Sequence, residues 1–232
     1  MDAYTAQRLP DPLPAEPLSL VGDWLAEATR AKTQPNPNAM VLATVSAAGY
    51  PSSRVVLCKD IVLPAGYLVV YTNYESRKGA EIEANPRVAA LFHWDLLHRQ
   101  VRVEGRMLRS PAPESDAYFA SRPWQSRLGA WASEQSRAVA SRAVLIEALQ
   151  RAGRRFHTPP VGPGAPPEGG ERGGVDVPRP PHWGGYRLYA EAVELWVEGE
   201  YRIHDRVRYG RDLSPSAEGY SGSPWRTERL QP

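Results

Sequence analysis

The first regular pattern of apolar positions along the chain is helical. These positions recur every three or four residues, as on one face of an amphipathic helix: Leu20, Val21, Trp24, Leu25 and Ala28. Ser19 precedes them and is the predicted N-cap, and Pro35 marks the end of the helix. Residues 1–18 are polar and rich in proline, which predicts an extended N-terminal arm.

From residue 39 onward the pattern changes to short runs rich in β-branched and aromatic residues, which is typical of strands. The predicted strands cover residues 39–45, 53–59, 67–72, 88–94, 100–108, 186–197, 201–209 and 225–230. Helices are predicted over residues 77–84, 114–120 and 133–152. Many short strands with helices inserted between hairpins predict a mainly β, α+β fold, a β-barrel with its helices packed outside.

One segment breaks the alternation of strands and helices. Residues 157–182 contain eight prolines and six glycines in 26 positions. Such a composition buries too little apolar surface to offset the entropy lost on ordering, so we predict a flexible loop. The predicted organisation is an arm over residues 1–18 and a single domain over residues 19–232 that carries this loop.

Composition and charge narrow the class of protein. The 28 basic and 26 acidic residues give a formal net charge of +2, without the basic excess typical of nucleic-acid binders. The one cysteine, Cys58, leaves no internal disulfide to form. No apolar run reaches the roughly 20 residues that cross a bilayer, and residues 1–4 do not begin a signal peptide. We therefore expect a cytoplasmic protein that binds neither membrane nor nucleic acid.

The segment from Arg202 to Arg206 is the first candidate for chemistry. If residues 201–209 form a strand, side chains alternate between its faces, and Arg202, His204 and Arg206 share one face. Two guanidinium groups beside an imidazole suit an anionic ligand. A solvated edge strand guarded by charges is an equally good interpretation of this pattern alone.

Two further groups of residues suit phosphate. Tyr118, Arg122 and Ser126 are spaced by four, as on one helical face, although Pro123 interrupts a helix there. Arg77 and Lys78 begin a predicted helix after Ser76, and helix N-termini bind anions. For each group a wet, solvent-facing helix surface is the alternative, and the pattern alone favours it.

Other candidates are less specific. Arg54 and Lys59 fall on opposite faces of one predicted strand unless a bulge intervenes. Gln100 shares a strand face with Arg102 and Glu104, the pair Gln135–Ser136 opens a predicted helix, and Trp183 follows the loop. The five histidines and one cysteine lack zinc-site spacing, so no metal is expected, and no dinucleotide-binding or P-loop motif is present.

Taken together, these segments resemble the pyridoxamine 5'-phosphate oxidase family. The resemblance runs from about residue 14 to the C-terminus and rests on ordered motifs: Arg54–Lys59, Tyr71–Asn73 with Ser76–Lys78, Arg99–Val101, Tyr118–Phe119 with Ser121–Pro123 and Ser126, Gly129–Trp131, Glu134–Ser136, Trp183–Gly185, Arg202–Arg206 and Arg229–Pro232.

The resemblance implies a split β-barrel homodimer with FMN at the subunit interface. It implies contacts to FMN from Arg54, Val55, Val56, Leu57, Cys58, Lys59, Tyr71, Thr72, Arg77, Lys78, Gln100, Gln135, Ser136, Trp183 and Arg206. It implies substrate contacts from Lys59, Tyr118, Arg122, Ser126, Arg202 and His204, the last two being the catalytic residues.

The implied reaction is oxidation of pyridoxine or pyridoxamine 5'-phosphate to pyridoxal 5'-phosphate in vitamin B6 biosynthesis. Hydride passes to the flavin, O2 accepts the electrons, and H2O2 is released, with NH3 from the amine. Three rivals are a flavin oxidase of the phenazine type, a non-catalytic flavin or pyridoxal-phosphate binding protein, and a deazaflavin reductase. The phosphate residues disfavour the first and third, and the presence of Arg202 and His204 disfavours the second.

The sequence departs from the family pattern in three places. The basic segment that often covers the active site is reduced to Tyr4–Thr5, which puts a lid role for the arm in doubt. Residues 157–182 are longer than the usual link, and we expect an insertion without catalytic residues. Cys58 replaces an aliphatic residue, and a buried, inert thiol is expected there.

Overall fold

The computed structural model describes residues 8–162 and 175–232. Tyr4 and Thr5, and the middle of the Pro/Gly-rich segment, lie outside these ranges. The helices are α1 (Pro17–Ala31), α2 (Arg77–Ala84), α3 (Ala112–Ser121), α4 (Trp124–Ala132) and α5 (Arg142–Arg155). The strands are β1 (Ala39–Val45), β2 (Pro51–Leu57), β3 (Asp60–Val62), β4 (Tyr67–Asn73), β5 (Arg87–Trp94), β6 (Arg99–Arg109), β7 (Trp183–Val197), β8 (Asp205–Gly210), β9 (Leu213–Ser216), β10 (Gly219–Gly222) and β11 (Arg226–Arg229).

Nine of the strands form one sheet. Its main path runs in the order β11-β8-β7-β6-β5-β1-β2, while β4 pairs with β3 and β7. β9 and β10 form a separate two-stranded hairpin. The register of β7 against β8 places Trp196 opposite Arg206 and Glu194 opposite Arg208. Strands dominate and helices are inserted between them, so the predicted mainly β, α+β class is confirmed.

The chain divides into two compact units. The first comprises residues 1–70, 84–108 and 187–232. Alternate residues of its strands are fully buried and form the core: Leu42, Phe92, Val101, Val103, Leu188, Val193, Leu195 and Val207. On the predicted apolar face of α1, Val21, Trp24 and Ala28 are buried and Leu20 and Leu25 are half-buried. Leu18, which was not predicted, is also buried.

The second unit comprises residues 71–83 and 109–186 and contains α2 to α5. Leu128, Ala152 and Val177 form a small buried cluster, against which Trp124, Trp131 and Phe156 pack. Phe119 and Tyr186 are each 1% exposed and extend the apolar interior of this unit. No helix within residues 8–162 and 175–232 is long and apolar enough to cross a bilayer.

Several predicted element boundaries are wrong. α1 begins at Pro17, three residues earlier than predicted, and Glu16 rather than Ser19 caps it by accepting the Leu18 N–H at 3.1 Å. The helix predicted over residues 133–152 begins only at Arg142, capped by Ser141. β3 and the β9–β10 hairpin were not predicted, because β3 spans only three residues and the hairpin is mostly exposed.

The described part of the arm, residues 8–16, is anchored to the first unit. Leu9 is 4% exposed and its N–H donates to Asp205 Oδ2 at 2.9 Å. The Tyr209 hydroxyl donates to the Pro14 carbonyl at 3.1 Å, and Trp225 Nε1–H donates to Glu16 Oε2 at 2.9 Å. These bonds hold the arm against β8 and against Trp225, the residue before β11.

Candidate active site

The segment from Arg202 to Arg206 is a turn leading into a strand. Glu200–Arg202 forms one 3-10 turn, and β8 begins only at Asp205. Tyr201 and Arg202 have φ values of 54° and 66°, in the left-handed region that side chains other than glycine rarely adopt. The prediction that Arg202, His204 and Arg206 alternate along one strand is therefore wrong, because the first two precede the strand.

His204 is held at the end of this turn by two contacts. The Gly199 N–H donates to His204 Nδ1 at 3.2 Å, and the imidazole packs on Trp196 with ring centroids 4.6 Å apart. A Cβ on Gly199 would lie 1.8 Å from the Ile203 carbonyl oxygen, so only glycine fits this approach. Because Nδ1 accepts a backbone hydrogen, the neutral ring carries its proton on Nε2.

Arg206 lies in a network of charged side chains in the first unit. Its Nε and Nη2 donate to Glu194 Oε1 at 3.1 and 2.7 Å, and its Nη1 donates to the Gln231 carbonyl at 2.8 Å. Glu194 Oε2 accepts from Arg102 at 3.0 Å, and Arg102 also contacts Glu104 at 2.6 Å. Arg206 is thus fixed by a buried carboxylate and by the C-terminal backbone.

A cleft of about 530 Å³ lies beside His204. Gly199, Glu200, Ile203, His204, Asp205 and Arg229 line it together with Arg8, Leu9 and Asp11 of the arm. Two of the lining residues form an ion pair, in which Arg229 donates to Asp205 at 2.6 Å. The arm and the His204 turn therefore share one concave surface in the first unit.

Three aromatic rings are stacked in the second unit. Tyr71 lies on Tyr118 with centroids 3.8 Å apart and planes 13° apart. Tyr71 and Trp183 are 5.6 Å apart at 11°, and Tyr118 and Trp183 are 6.2 Å apart at 5°. The three rings, from β4, α3 and the first residue of β7, form a set of parallel planes that we call the aromatic stack.

Arg122 is placed over this stack. Its guanidinium carbon lies 4.6 Å from the centroid of Trp183, and its Nη1 is buried with no hydrogen-bond partner among the described residues. Burial lowers the pKa of Arg122; the nearby Tyr118 opposes this effect, and Arg127 adds to it. The second unit therefore holds a cation with an unused, buried donor, an arrangement that calls for an anion.

The prediction that Tyr118, Arg122 and Ser126 lie on one face of a single helix is wrong. α3 ends at Ser121, and Pro123 precedes the start of α4, so Ser126 lies on a different helix from Tyr118. Arg122 is extended between the helices, at φ −76° and ψ 149°. Pro123 disfavours helical backbone at the preceding residue, which accounts for the break.

A polar cluster lies at the start of α2. Lys78 Nζ donates to Gln135 Oε1 at 2.8 Å and to Thr72 Oγ1 at 3.0 Å, and Thr72 donates to Gln135 at 3.2 Å. Ser76 Oγ accepts the Gly79 N–H at 3.3 Å and so caps the helix. Arg77 pairs with Glu81 and keeps a side chain that is 60% exposed. The predicted helix start at Arg77 is confirmed. Two cations, Arg77 and Lys78, therefore lie in the first turn of α2, at its N-terminus.

Residues 54–59 belong to an edge strand and the bend after it. Arg54 donates to the Leu42 carbonyl at 3.2 Å, to Thr44 Oγ1 and to Ser52 Oγ at 3.0 Å. β2 ends at Leu57, so the prediction that Lys59 shares a strand with Arg54 is wrong. Val55 is 65% exposed on the strand, with Val56 and Leu57 half-buried beside it.

Cys58 is a buried thiol. It is 3% exposed, and burial raises its pKa from 9.0 to about 12. Its Sγ lies 3.3 Å from the Asp60 carbonyl oxygen. The predicted burial of this thiol is confirmed.

The remaining predicted residues lie on a strand and in a loop. Gln100 is half-buried on β6, opposite His93 of β5. Gln135 and Ser136 do not open a helix as predicted: they lie in the loop before α5, and Ser136 has φ 73°. No group of three or more potential metal ligands occurs within the two described ranges.

The structure thus gathers the predicted residues into separate groups within each unit. Arg206 is joined to Arg102 through Glu194 in the first unit, and the aromatic stack carries Arg122 in the second. Sequence reasoning missed Glu194. A lone carboxylate in the apolar run of residues 192–197 was the available signal, because buried acids are nearly always paired.

Comparison with known proteins gives a consistent result along the chain. The family model for pyridoxamine 5'-phosphate oxidase matches residues 25–153, and the model for the pyridoxine 5'-phosphate oxidase C-terminal dimerisation region matches residues 183–232. A pyridoxine/pyridoxamine 5'-phosphate oxidase from Cupriavidus necator is 48% identical over 94% of this chain and 89% of its own length. One from Paracoccus denitrificans is 43% identical over 94% of this chain and 95% of its own.

Solved structures share the fold. PhzG from Burkholderia lata, in complex with tetrahydrophenazine-1-carboxylic acid, superposes with a TM-score of 0.77 at 29% identity over 94% of each chain. A pyridoxamine 5'-phosphate oxidase-related, FMN-binding protein from Nostoc punctiforme gives a TM-score of 0.64 at 16% identity, covering 91% of this chain and 96% of its own.

Proposed function

Because the chain belongs to the pyridoxamine 5'-phosphate oxidase family, we propose that it oxidises pyridoxine 5'-phosphate and pyridoxamine 5'-phosphate to pyridoxal 5'-phosphate. FMN is the proposed cofactor and O2 the proposed electron acceptor, with H2O2 as by-product and NH3 released from the amine. Relatives that carry this activity in their names are 43–48% identical to the chain.

The observation that carries this proposal is the state of Arg122. A buried guanidinium nitrogen without a partner is costly, and a phosphate monoester supplies the missing acceptor and the opposite charge. Tyr118 belongs to the aromatic stack, and Ser126 is the third residue of the next helix. We assign these three residues and Lys59 to the substrate phosphate.

The second unit also offers a fit to FMN. Lys78, Thr72 and Gln135 already form a mutually bonded cluster at the N-terminus of α2, where free backbone N–H groups favour a phosphate. Trp183 and Tyr71 present flat surfaces. The proposed flavin contacts are Arg54, Val55, Val56, Leu57, Cys58, Lys59, Tyr71, Thr72, Arg77, Lys78, Gln100, Gln135, Ser136, Trp183 and Arg206. When bound, FMN supplies the hydride acceptor that no side chain provides.

Arg202 and His204 are the proposed catalytic residues. Their task is to orient the pyridine ring so that its 4' carbon faces the flavin, which is a proximity effect. A guanidinium group such as that of Arg202 is a poor base, so an orienting role suits it better. His204 presents Nε2–H because Gly199 occupies Nδ1, so it can donate a hydrogen bond to a substrate oxygen.

A homodimer with FMN at the subunit interface is part of the proposal. The match of residues 183–232 to a dimerisation region supports it. Exposed apolar side chains at Val55 and Ile203, 65% and 71% exposed, are suited to burial against a partner.

A phenazine-type oxidase is the second candidate, since PhzG superposes with a TM-score of 0.77. That protein is 29% identical to the chain, well below the 43–48% of the vitamin B6 oxidases. The unpaired donor of Arg122 also suits a phosphorylated substrate better than a phenazine carboxylate that carries a smaller charge.

The test is direct. The purified protein is expected to show a flavin absorption spectrum and to form aldehyde and H2O2 from pyridoxine 5'-phosphate in air. Unphosphorylated pyridoxine should be a much poorer substrate, because the phosphate contacts contribute binding energy. A colourless protein would refute the proposal. So would a yellow protein that oxidises neither pyridoxine 5'-phosphate nor pyridoxamine 5'-phosphate.

A further inference from the structure

The last part of the Pro/Gly-rich segment, residues 175–182, is packed in the second unit; we call it the return segment. Val177 is 1% exposed and belongs to the apolar cluster with Leu128. The Trp131 indole N–H donates to the Pro178 carbonyl at 2.7 Å, and Arg127 donates to the Val175 carbonyl at 3.2 Å. These contacts fix the segment against α4, although its composition predicts a flexible loop.

Arg179 connects the return segment to the aromatic stack. Its Nε donates to Asp116 Oδ1 at 2.6 Å, and its Nη1 donates to the Trp183 carbonyl at 2.7 Å. The Arg179 side chain is 15% exposed. Asp116 lies on α3 two residues before Tyr118, and Trp183 is the first residue of β7. One guanidinium therefore bonds both to the helix that carries Tyr118 and to Trp183 itself.

The backbone beside Trp183 has little freedom to compensate for a lost bond. A Cβ on Gly184 would lie 2.0 Å from the Tyr74 hydroxyl, so β7 already packs at its closest approach. The Tyr74 N–H donates to the His182 carbonyl at 2.7 Å on the other side of Trp183. The Gly185 N–H also donates to Ser115 Oγ of α3 at 3.0 Å. Arg179 adds a second link between α3 and β7, at the carbonyl of Trp183 itself.

We propose that Arg179 is a positioning residue, which sets the spacing of Tyr118 and Trp183 and thereby aligns the substrate phosphate with the flavin. This inference rests on the proposed function, which assigns Tyr118 to the substrate and Trp183 to FMN. The ion pair with Asp116 alone is weak, because that carboxylate is 58% exposed. The guanidinium also bonds to the Trp183 carbonyl, so it fixes the distance between α3 and Trp183. A lysine ammonium cannot make both bonds in one plane.

The test compares four variants with the wild-type holoenzyme: Arg179→Met, Arg179→Lys, Asp116→Asn and the control Arg151→Met. Arg151 pairs with Glu147 at 3.9 Å on α5, and its side chain is 60% exposed. For each protein we would measure KM and kcat for pyridoxine 5'-phosphate, Kd for FMN, and the visible circular dichroism of the bound flavin. The dichroism reports the position of Trp183 against the flavin ring, independently of turnover.

Arg179→Met is expected to raise KM and the FMN Kd about ten-fold, in line with the cost of small misplacements. Its kcat should fall less, and its flavin dichroism should change. Arg179→Lys should recover part of the loss, Asp116→Asn should have a smaller effect, and Arg151→Met should match wild type.

Two failures are distinguishable. An active wild type with Arg179→Met indistinguishable from Arg151→Met in KM, FMN Kd and dichroism overturns the positioning role and leaves the proposed function intact. A wild type that binds FMN without oxidising either B6 phosphate overturns the proposed function, and the dichroism of Arg179→Met then still decides whether Arg179 positions Trp183. If Arg179→Met does not fold, Arg179→Lys and Asp116→Asn carry the same comparison.

Discussion

Glu194 of β7 accepts two hydrogen bonds from Arg206 of β8, at 2.7 and 3.1 Å. The Glu194 side chain is only 8% exposed. The same carboxylate accepts from Arg102 at 3.0 Å. Removing this buried acid leaves Arg206 without its carboxylate partner, while Arg102 keeps its ion pair with Glu104.

Glu194→Gln is therefore expected to weaken FMN binding about ten-fold and to lower the free energy of unfolding by about 2 kcal/mol. The first effect follows because Arg206 is a proposed flavin contact. Equilibrium dialysis of FMN and urea denaturation measure the two effects. Glu104→Gln is the matched control: Glu104 bonds to Arg102 and Arg208 in the same network but is 37% exposed, and it should cost under about 1 kcal/mol. Equal losses in the two variants would contradict the assignment.

Arg122→Met is expected to separate stability from binding. The apoprotein should be as stable as wild type or slightly more so, since a buried donor without a partner is removed. KM for pyridoxine 5'-phosphate should rise at least ten-fold. With FMN bound, so that the proposed flavin phosphate site is filled, inorganic phosphate should raise the Tm of the wild type and not of this variant. Arg142→Met, at the exposed start of α5, should leave both measurements unchanged, and an unaltered KM in Arg122→Met would refute the phosphate assignment.

Two substitutions of His204 separate the roles of its ring nitrogens Nδ1 and Nε2. In His204→Asn the amide oxygen can still accept the Gly199 N–H, as Nδ1 does at 3.2 Å, but nothing replaces Nε2–H. His204→Gln offers a donor near the Nε2 position. We expect kcat/KM to fall about 100-fold in the first variant and less in the second, with FMN retained in both. Arg202→Leu should likewise lower turnover with flavin bound. Full activity in His204→Asn and Arg202→Leu would remove both from the catalytic set.

The Cys58 thiol predicts a dependence of stability on pH. Its pKa is raised from 9.0 to about 12 in the folded protein, so the folded state binds the proton more tightly than the unfolded state. The stability this contributes is fully present below pH 9 and is lost as the pH rises toward 12. The difference in unfolding free energy between wild type and Cys58→Ala should shrink by about 1.4 kcal/mol per pH unit above 9. Urea denaturation at pH 8, 9.5 and 10.5 measures it; a constant difference would show that the thiol does not titrate as described.

The effect of shortening the Pro/Gly-rich segment on FMN binding should depend on the last residue that is deleted. Replacing residues 163–174 with a short Gly/Ser linker should leave FMN binding and turnover within about two-fold of wild type, as expected for an insertion without catalytic residues. Extending the deletion through residue 182 removes Val177 and Arg179 and should abolish FMN binding. Loss of FMN in the shorter deletion would show that residues 163–174 contribute to the site.

Much of this fold follows from local patterns. The apolar faces of α1 and the sheet strands are set by spacing alone, because Trp24 and Val101 must be buried wherever the elements pack. The turn at Tyr201 and Arg202 could not be predicted, because alternating residues 201–209 satisfy a strand pattern equally well and only the contacts of Gly199 and Trp196 decide the backbone. The sequence predicts Arg122 as a phosphate residue, but its position between two helices depends on Pro123.

The network around Glu194 and the anchoring of the return segment depend on contacts between residues far apart in the chain. The bond from Arg206 to Gln231 and the burial of Val177 join positions whose proximity exists only after folding. Composition is a poor guide in such cases, because a proline-rich segment without regular structure can still be fixed by side chains that reach its carbonyl groups, as Trp131 does at Pro178.

The left-handed backbone at Tyr201 and Arg202 sets a limit on how far this protein can be stabilised. Two successive non-glycine residues at φ 54° and 66° cost of order 1 kcal/mol each. Glycine at Arg202 would recover that energy and remove a proposed catalytic side chain with it. On the proposed catalytic role of Arg202, the loop keeps this side chain at the expense of thermal stability, and selection for heat tolerance alone would favour glycine at position 202.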